Sequence, residues 1–401
     1  MKAIPEALSI YINQIVYDQR RMKRDVVALS LGEAFFDIPM MDFGKIDPDK
    51  GYHYSDSRGI PELRAKVAQY YDKYYGAKID AEDEILISAG SKPIIFMCMA
   101  ALVDPGQEVL IHEPAWVSYQ EHIRLVGASP KFIPYDAPIE TFSDYINENT
   151  RLVIVNNPNN PAGRLYAQDE LQSIYDQASV VGAYVMVDEA YSDFVIDDRF
   201  VSMARVVPNK KGTLTVNSLS KNMGMSGWRI GYLIAHPDVI DQVLKVNQHL
   251  ITCAPSILQH YMARYFDDII DITLPQVRDV VEKRQRIAGV MDDLGLERLD
   301  GGCTFYFFVS IGNFPASSLD FALKLLVDDG IAVVPGSAYG ASTERFVRIS
   351  IGTESEERIY KSLQRIRDLI GVNAFDVASL HERMAAAGVK HFEPGGDAAQ
   401  N

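Results

Sequence analysis

The sequence predicts an α/β fold organised on a largely parallel sheet, and three observations carry that prediction. Short apolar runs such as Ile85-Leu86-Ile87, Val109-Leu110-Ile111 and Leu152-Val153-Ile154-Val155 do not alternate in polarity, as expected of strands buried on both faces. Segments with helical periodicity separate these runs, giving an alternation of β and α. The runs end in loops rich in Gly, Ser, Asn and Asp, and ligands of such sheets bind beyond the carboxyl ends of the strands.

Taken in order, Ala7 to Tyr17 has near-helical apolar spacing and forms an arm or first helix; Val26 to Leu31 is a short strand running into Gly32-Glu33. Tyr52 to Gly59 is a polar, aromatic loop, and Pro61-Glu62 opens an amphipathic helix to about Tyr75. Strand Ile85 to Ser88, helix Ile94 to Leu102, strand Val109 to Ile111 and helix Trp116 to Leu125 follow. Next come strands at Lys131 to Ile133 and Leu152 to Val155, a helix near Gln168 to Val181, and strands at Tyr184 to Val187 and Thr213 to Val216. From Pro237 to about Val290 the pattern is helical, with a long segment from Leu274 to Met291. A smaller α/β unit closes the chain, with strands at Phe305 to Val309, Ile331 to Val334 and Phe346 to Ser350 and helices at Leu319 to Asp329 and Ser355 to Leu369. The expected division is an N-terminal arm and part of a small domain in 1–45, a large domain in 46–280, a small C-terminal domain in 281–372 and a loosely ordered tail in 373–401, ending in Pro394-Gly395-Gly396-Asp397.

Composition narrows the functional classes. A net charge of −15 over 401 residues, with no Lys/Arg cluster beyond Arg20 to Arg24, argues against a nucleic-acid partner. Cys98, Cys253 and Cys303 are odd in number and far apart, so neither a disulfide framework nor a metal site is indicated, and a reducing compartment is the default. No uncharged apolar stretch approaches the roughly 20 residues of a membrane span. A cytoplasmic protein is expected.

The chemistry concentrates in the polar loops. Ser218-Leu219-Ser220-Lys221, with Arg229 in Gly227-Trp228-Arg229-Ile230-Gly231, sets two hydroxyls and a guanidinium able to bind phosphate oxygens beside an amine able to condense with an aldehyde. A phosphate and an aldehyde on one small molecule mean pyridoxal phosphate, although a lysine ending a strand is also a common surface residue. Asp188 closes its strand either as a cap or turn residue or as the partner of a cation such as a pyridinium nitrogen. Asn156-Asn157-Pro158-Asn159-Asn160-Pro161 forces a defined turn whose asparagines offer neutral hydrogen bonds to a phenolic oxygen. Gly90-Ser91 lies between a strand and a helix, where backbone amides favour phosphate. Trp116 either stacks on a planar ring or packs in the core. Arg348, inside an apolar run, needs an anion such as a substrate carboxylate or else an internal ion pair.

In order and local context these stretches resemble fold-type I pyridoxal-phosphate enzymes, specifically the class I/II aminotransferase family typified by aspartate aminotransferase. The resemblance runs from about Leu29 to Leu369 and rests jointly on Asn-Pro-x-Asn-Pro-x-Gly, Asp-x-Ala-Tyr and Ser-x-Ser-Lys. It implies that Lys221 holds pyridoxal 5'-phosphate as a Schiff base and moves the substrate proton. Asp188 would keep the pyridine nitrogen protonated, and Asn160 and Tyr191 would bind the ring's phenolic oxygen. Gly90, Ser91, Lys92, Ser218, Ser220 and Arg229 would surround the phosphate, Trp116 would stack on the ring, and Arg348 with Gly32 and Asn160 would hold the substrate carboxylate.

In relatives the tyrosine matching Tyr54 reaches the neighbouring subunit's phosphate, which implies a homodimer with shared sites. The implied reaction moves an amino group from an L-amino acid to a 2-oxo acid by a ping-pong mechanism. β-Lyases, synthases, decarboxylases and oxidases on the same fold are the alternative. Two departures bear on specificity. Ala162 replaces the usual Thr or Ser, and Glu33-Ala34-Phe35-Phe36-Asp37-Ile38-Pro39 replaces a more common segment over the substrate, its phenylalanines leaning towards an apolar or aromatic side chain.

Overall fold

A computed structural model describes residues 6–196 and 199–392. Seven strands form the main sheet: β2 (Ile85–Ser88), β3 (Glu108–His112), β4 (Ser129–Ile133), β5 (Thr150–Asn156), β6 (Tyr184–Asp188), β7 (Thr213–Ser218) and β8 (Gly231–Ala235), after a short first strand β1 (Val27–Ala28). Their spatial order is β2-β8-β7-β6-β5-β3-β4. All neighbours from β7 through β4 run parallel, and only β8 is antiparallel to both of its neighbours.

The non-alternating strands are buried on both faces, as their sequences require. Val109 and Ile111 face one side, packed with helices Ser91–Leu102, Ser118–Leu125 and Pro237–Leu250; Leu110 faces the other with Val153, Val185 and helix Gln168–Ser179. The edge strand β4 is half exposed along most of its length. Because β2, β3, β5, β6 and β7 point the same way, their carboxyl ends share one rim of the sheet.

A second assembly joins the two ends of the chain. β9 (Tyr306–Ser310), β11 (Val334–Pro335) and β12 (Phe346–Ser350) form an antiparallel sheet in the order β11-β12-β9, while β1 pairs in parallel with β10 (Ile331–Ala332). The expected single strand Ile331 to Val334 is thus broken in two, because its halves serve different sheets. The first helix, Leu8–Arg21, buries Tyr11, Ile12, Ile15 and Val16 against Leu323 and Leu326.

Two expectations change. The long helix runs Ser256–Asp293 straight through Pro275 and departs from helical geometry at Tyr265 instead. A proline inside a helix costs about 3 kcal/mol, which the buried stripe Ile269, Ile270, Thr273, Val277 and Val281 offsets. Within the segment expected to be a loose tail, Val377–Ala386 is a helix whose Leu380 and Met384, one turn apart, are fully buried in the cluster built on the first helix. Pro394 to Asp397 lie outside the described residues.

Candidate active site

The shared rim of strand ends opens on a cavity of about 250 Å³ between the two sheets. Beyond β2, Gly90 takes φ +96° and helix Ser91–Leu102 begins at once, three residues earlier than expected. A Cβ on Gly90 would run into the Arg229 guanidinium, and one on Gly231 would meet the backbone of Gly90 and Ser91. The glycines therefore let an arginine lie across a helix N-terminus, where free backbone N–H groups already favour an anion. Ser218 and Ser220, at the end of β7, line the same cavity, and the Ser218 hydroxyl accepts from the Ser220 N–H at 3.4 Å. Lys92 extends over Trp116, with its nitrogen 5.0 Å from the ring centroid. Burial and the charge of Arg229 lower its pKa.

Lys221 donates to the Gly32 carbonyl at 2.5 Å, so the main-sheet lysine touches the segment leading out of β1. Burial lowers its ammonium pKa to about 8; Arg348 and Arg229 push the same way, while Glu33 and Asp188 oppose. An amine so shifted is neutral in a larger fraction of molecules and is the nucleophilic form.

Asp188 closes β6 between Asn156 of β5 and Val216 of β7 in the register. It is 7% exposed, accepts from the Tyr119 hydroxyl at 2.8 Å and from the Ala190 N–H at 3.1 Å, and burial raises its pKa. The asparagine turn is tied to this strand end: the Asn156 amide donates to the Asp188 carbonyl at 2.7 Å and accepts from the Asn160 N–H at 2.6 Å. Asn160 then donates to the Tyr191 hydroxyl at 3.3 Å, which lies 3.0 Å from the Tyr306 hydroxyl.

Arg348, on β12, is 4% exposed and donates to Asn160 Oδ1 at 3.2 Å and to the Ser30 carbonyl at 2.6 Å. Its guanidinium carbon lies 4.5 Å from the Tyr306 ring centroid. Among the described residues no carboxylate forms an ion pair with it. A buried guanidinium held only by neutral groups is a receptor for an external anion.

The structure thus brings Gly32, Ser91, Lys92, Trp116, Asn160 and Asp188 to one cavity, and with them Tyr191, Ser218, Ser220, Lys221, Arg229 and Arg348. Tyr54 is not among them; it is 86% exposed. Phe35 is also exposed and Phe36 packs on Phe194, so neither lines the cavity of its own chain. Sequence reasoning missed Tyr306, which looks like a core aromatic in an apolar run, and Tyr119 and Tyr339, which lie in mixed segments without a motif; it also missed Ser9, Ile10 and Asn13 of the first helix, which line the cavity with Tyr306 and Tyr339 while Tyr119 meets it through Asp188. The set fits a phosphorylated aldehyde. Arg229 lies at a helix N-terminus for the phosphate, with a depressed lysine for the aldehyde and a buried carboxylate for a ring cation.

Comparison with known proteins agrees with this geometry. Residues 42–366 match the family described as aminotransferase class I and II. The chain is 31% identical over 351 residues, 86% of its length and 92% of the relative's, to a (5-formylfuran-3-yl)methyl phosphate transaminase of Methanocaldococcus jannaschii. It is 30% identical to an aspartate aminotransferase of Pyrococcus abyssi, covering 88% of this chain and 94% of the relative. Among solved structures, aspartate aminotransferase from Thermus thermophilus with maleate superimposes with a TM-score of 0.83 at 28% identity, covering 92% of this chain and 97% of that one.

Proposed function

This chain belongs to the class I and II aminotransferases, enzymes that use pyridoxal phosphate, and on that premise we propose which of its residues hold the cofactor and run the transfer from an L-amino acid to a 2-oxo acid. Bound pyridoxal phosphate supplies an aldehyde for the amine and an electron sink for the pair left when the Cα proton departs. Lys221 would anchor that aldehyde and, once displaced by substrate, would accept the Cα proton and carry it two atoms along, past the amino nitrogen. Asp188 keeps the ring nitrogen protonated, its partners Tyr119 and Ala190 N–H fixing its orientation. Asn160 and Tyr191 bind the phenolic oxygen. Gly90, Ser91, Lys92, Ser218, Ser220 and Arg229 enclose the phosphate, and Trp116 covers the ring. Arg348, with Gly32 and Asn160, orients the substrate carboxylate so that the Cα proton faces the lysine.

The observation that carries this reading is the lysine itself, buried in the cavity with its pKa lowered to about 8 and opposite a buried carboxylate. We read residues 46–280 as the cofactor-binding domain and 1–45 with 281–372 as the smaller domain closing over it, in a cytoplasmic homodimer. Tyr54 is exposed and outside its own chain's cavity, consistent with a place in a partner's site; a monomer by light scattering would refute the dimer.

The test of function is to mix the cofactor-loaded protein with single amino acids and follow cofactor absorbance and products together. A good donor, without oxo acid, should convert the cofactor to its amino form and release one oxo acid per site, and added oxo acid should reverse the change. Accumulation of ammonia, carbon dioxide or a thiol over many turnovers would instead mark a lyase, decarboxylase or oxidase.

A further inference from the structure

Tyr339 stands at the cavity beside Arg348, and its hydroxyl interacts with that guanidinium. Its side chain is 2% exposed, and its hydroxyl finds no well-aligned hydrogen-bond partner among the described residues. The ring lies 5.4 Å from the guanidinium carbon of Arg348, whose Nε is likewise without a well-aligned partner. A guanidinium only donates, so a phenol oxygen that faces it keeps its own proton without an acceptor, and such a group in a binding cavity marks a contact that a ligand completes.

The ring is not left free to swing away. The Ala115 N–H donates to the Tyr339 carbonyl at 2.8 Å. Two residues before Ala115, Glu113 is 3% exposed and accepts from the Ala341 N–H at 2.7 Å, from the Ser342 N–H at 3.1 Å and from the Ser342 hydroxyl. Gly340 is required between them, because a Cβ there would occupy the Glu113 carboxylate. The segment just past β3 thus grips the loop that carries Tyr339 at the tyrosine's own carbonyl and at residues 341–342 on its C-terminal side.

We propose that Tyr339 is a substrate-contact residue, its hydroxyl donating to the carboxylate that Arg348 holds, and that Glu113 is a positioning residue that fixes Tyr339 through the 340–342 loop. The inference rests on the reading of Arg348 as the carboxylate clamp. A guanidinium beside a phenol gives a carboxylate charge and an additional directed donor. It also explains why a tyrosine, rather than an apolar ring of equal size, stands at 339.

The experiment uses cofactor-loaded protein and two inert probes that lack an amino group, succinate and 3-phenylpropanoate, with Kd read from tryptophan fluorescence. They share a carboxylate and differ elsewhere. Tyr339→Phe removes only the hydroxyl and should weaken both probes about tenfold, the scale of a hydrogen bond to a charged group. In the amino-acid half-reaction most of the change should fall on apparent Kd rather than on the saturating rate. Glu113→Gln should weaken both probes in the wild-type background and add little once Tyr339 is Phe, since coupled residues are not additive.

Equal affinity in Tyr339→Phe and wild type, with Arg348→Gln still losing both probes, would overturn the proposal and leave the clamp standing. Unchanged binding in Arg348→Gln would overturn the clamp itself. A loss confined to one probe would place the hydroxyl at the side chain, and an undiminished Glu113→Gln effect in the Tyr339→Phe background would refute the positioning role.

Discussion

Two buried polar regions lie back to back at the end of the main sheet, and they are finished differently. Behind the site, Glu189 accepts from the Met203 N–H at 2.7 Å, from the Ser202 hydroxyl at 2.9 and 3.0 Å and from the Tyr71 hydroxyl at 3.1 Å. Asp193 accepts from Tyr70 and Tyr75, and the Ser192 hydroxyl receives the amides of Asn217 and Asn222. In front, its neighbour Asp188 accepts two hydrogen bonds of the roughly four a carboxylate can take, and among the described residues the Arg348 Nε and Tyr339 hydroxyl have no well-aligned partner.

Adjacent residues reach opposite regions because consecutive side chains leave a strand on opposite faces. A closed polar network sets a shape. An open one awaits a ligand.

The largest expected effect breaks the front. Asp188→Ala removes the group that faces the cavity, and the cost should be several kcal/mol of transition-state stabilisation, on the order of a thousandfold in the saturating rate. The melting temperature without cofactor should move little. A rate near wild type with a large loss of stability would exchange the roles of the two regions.

How much of this was legible beforehand follows from which contacts are local. Asp188, Lys221, Asn160 and Arg229 were readable because each ends a strand or sits in a loop with a dense local pattern. Tyr306, in an apolar run, and Tyr119 and Tyr339, in mixed segments without a motif, were not, since a phenol has the same sequence signature whether its oxygen meets core or cavity. The first helix reaches the site for a nonlocal reason: pairing of Val27 with Ile331 and Ala28 with Ala332 draws the N-terminal segment onto the C-terminal unit. The same pairing breaks the strand after Ala332. The long helix, expected from Leu274, begins at Ser256 and passes through Pro275, because packing on both sides of the proline overrides its local tendency to end a helix.

A smaller effect sharpens the contrast from behind. Burial pushes the Glu189 carboxyl up to about 8 against the pull of Met203 N–H, Ser202 and Tyr71. Glu189→Ala would leave those donors facing a void, which should cost about 3 kcal/mol of stability in urea unfolding. Folded protein should retain a saturating rate within about threefold of wild type, a difference under 1 kcal/mol in barrier. If the rate falls as far as in Asp188→Ala while stability holds, Glu189 belongs to the chemistry and the division between closed and open networks fails.

The smallest effect probes a group in neither network. His112 ends β3 one residue before Glu113 and is 4% exposed, with Nδ1 2.5 Å from the Tyr166 hydroxyl and, among the described residues, no well-aligned partner on Nε2. Burial, with Arg164 adding, pushes its pKa down to about 3. The folded imidazole therefore refuses a proton that the unfolded chain accepts near pH 6.5. Its contribution to stability is complete above that pH and is lost as pH falls towards 3.

Between pH 7 and pH 5 the loss from this group should be about 2 kcal/mol. His122 and the carboxylates also titrate as the medium acidifies, so the measurement is the difference between wild type and His112→Gln in urea unfolding at the two pH values. The variant should lose about 2 kcal/mol less than wild type over that interval. Parallel losses would mean that His112 takes its proton in the folded state, in which case the cavity side of β3 admits water and the grip of Glu113 on the 340–342 loop is looser than its hydrogen bonds imply.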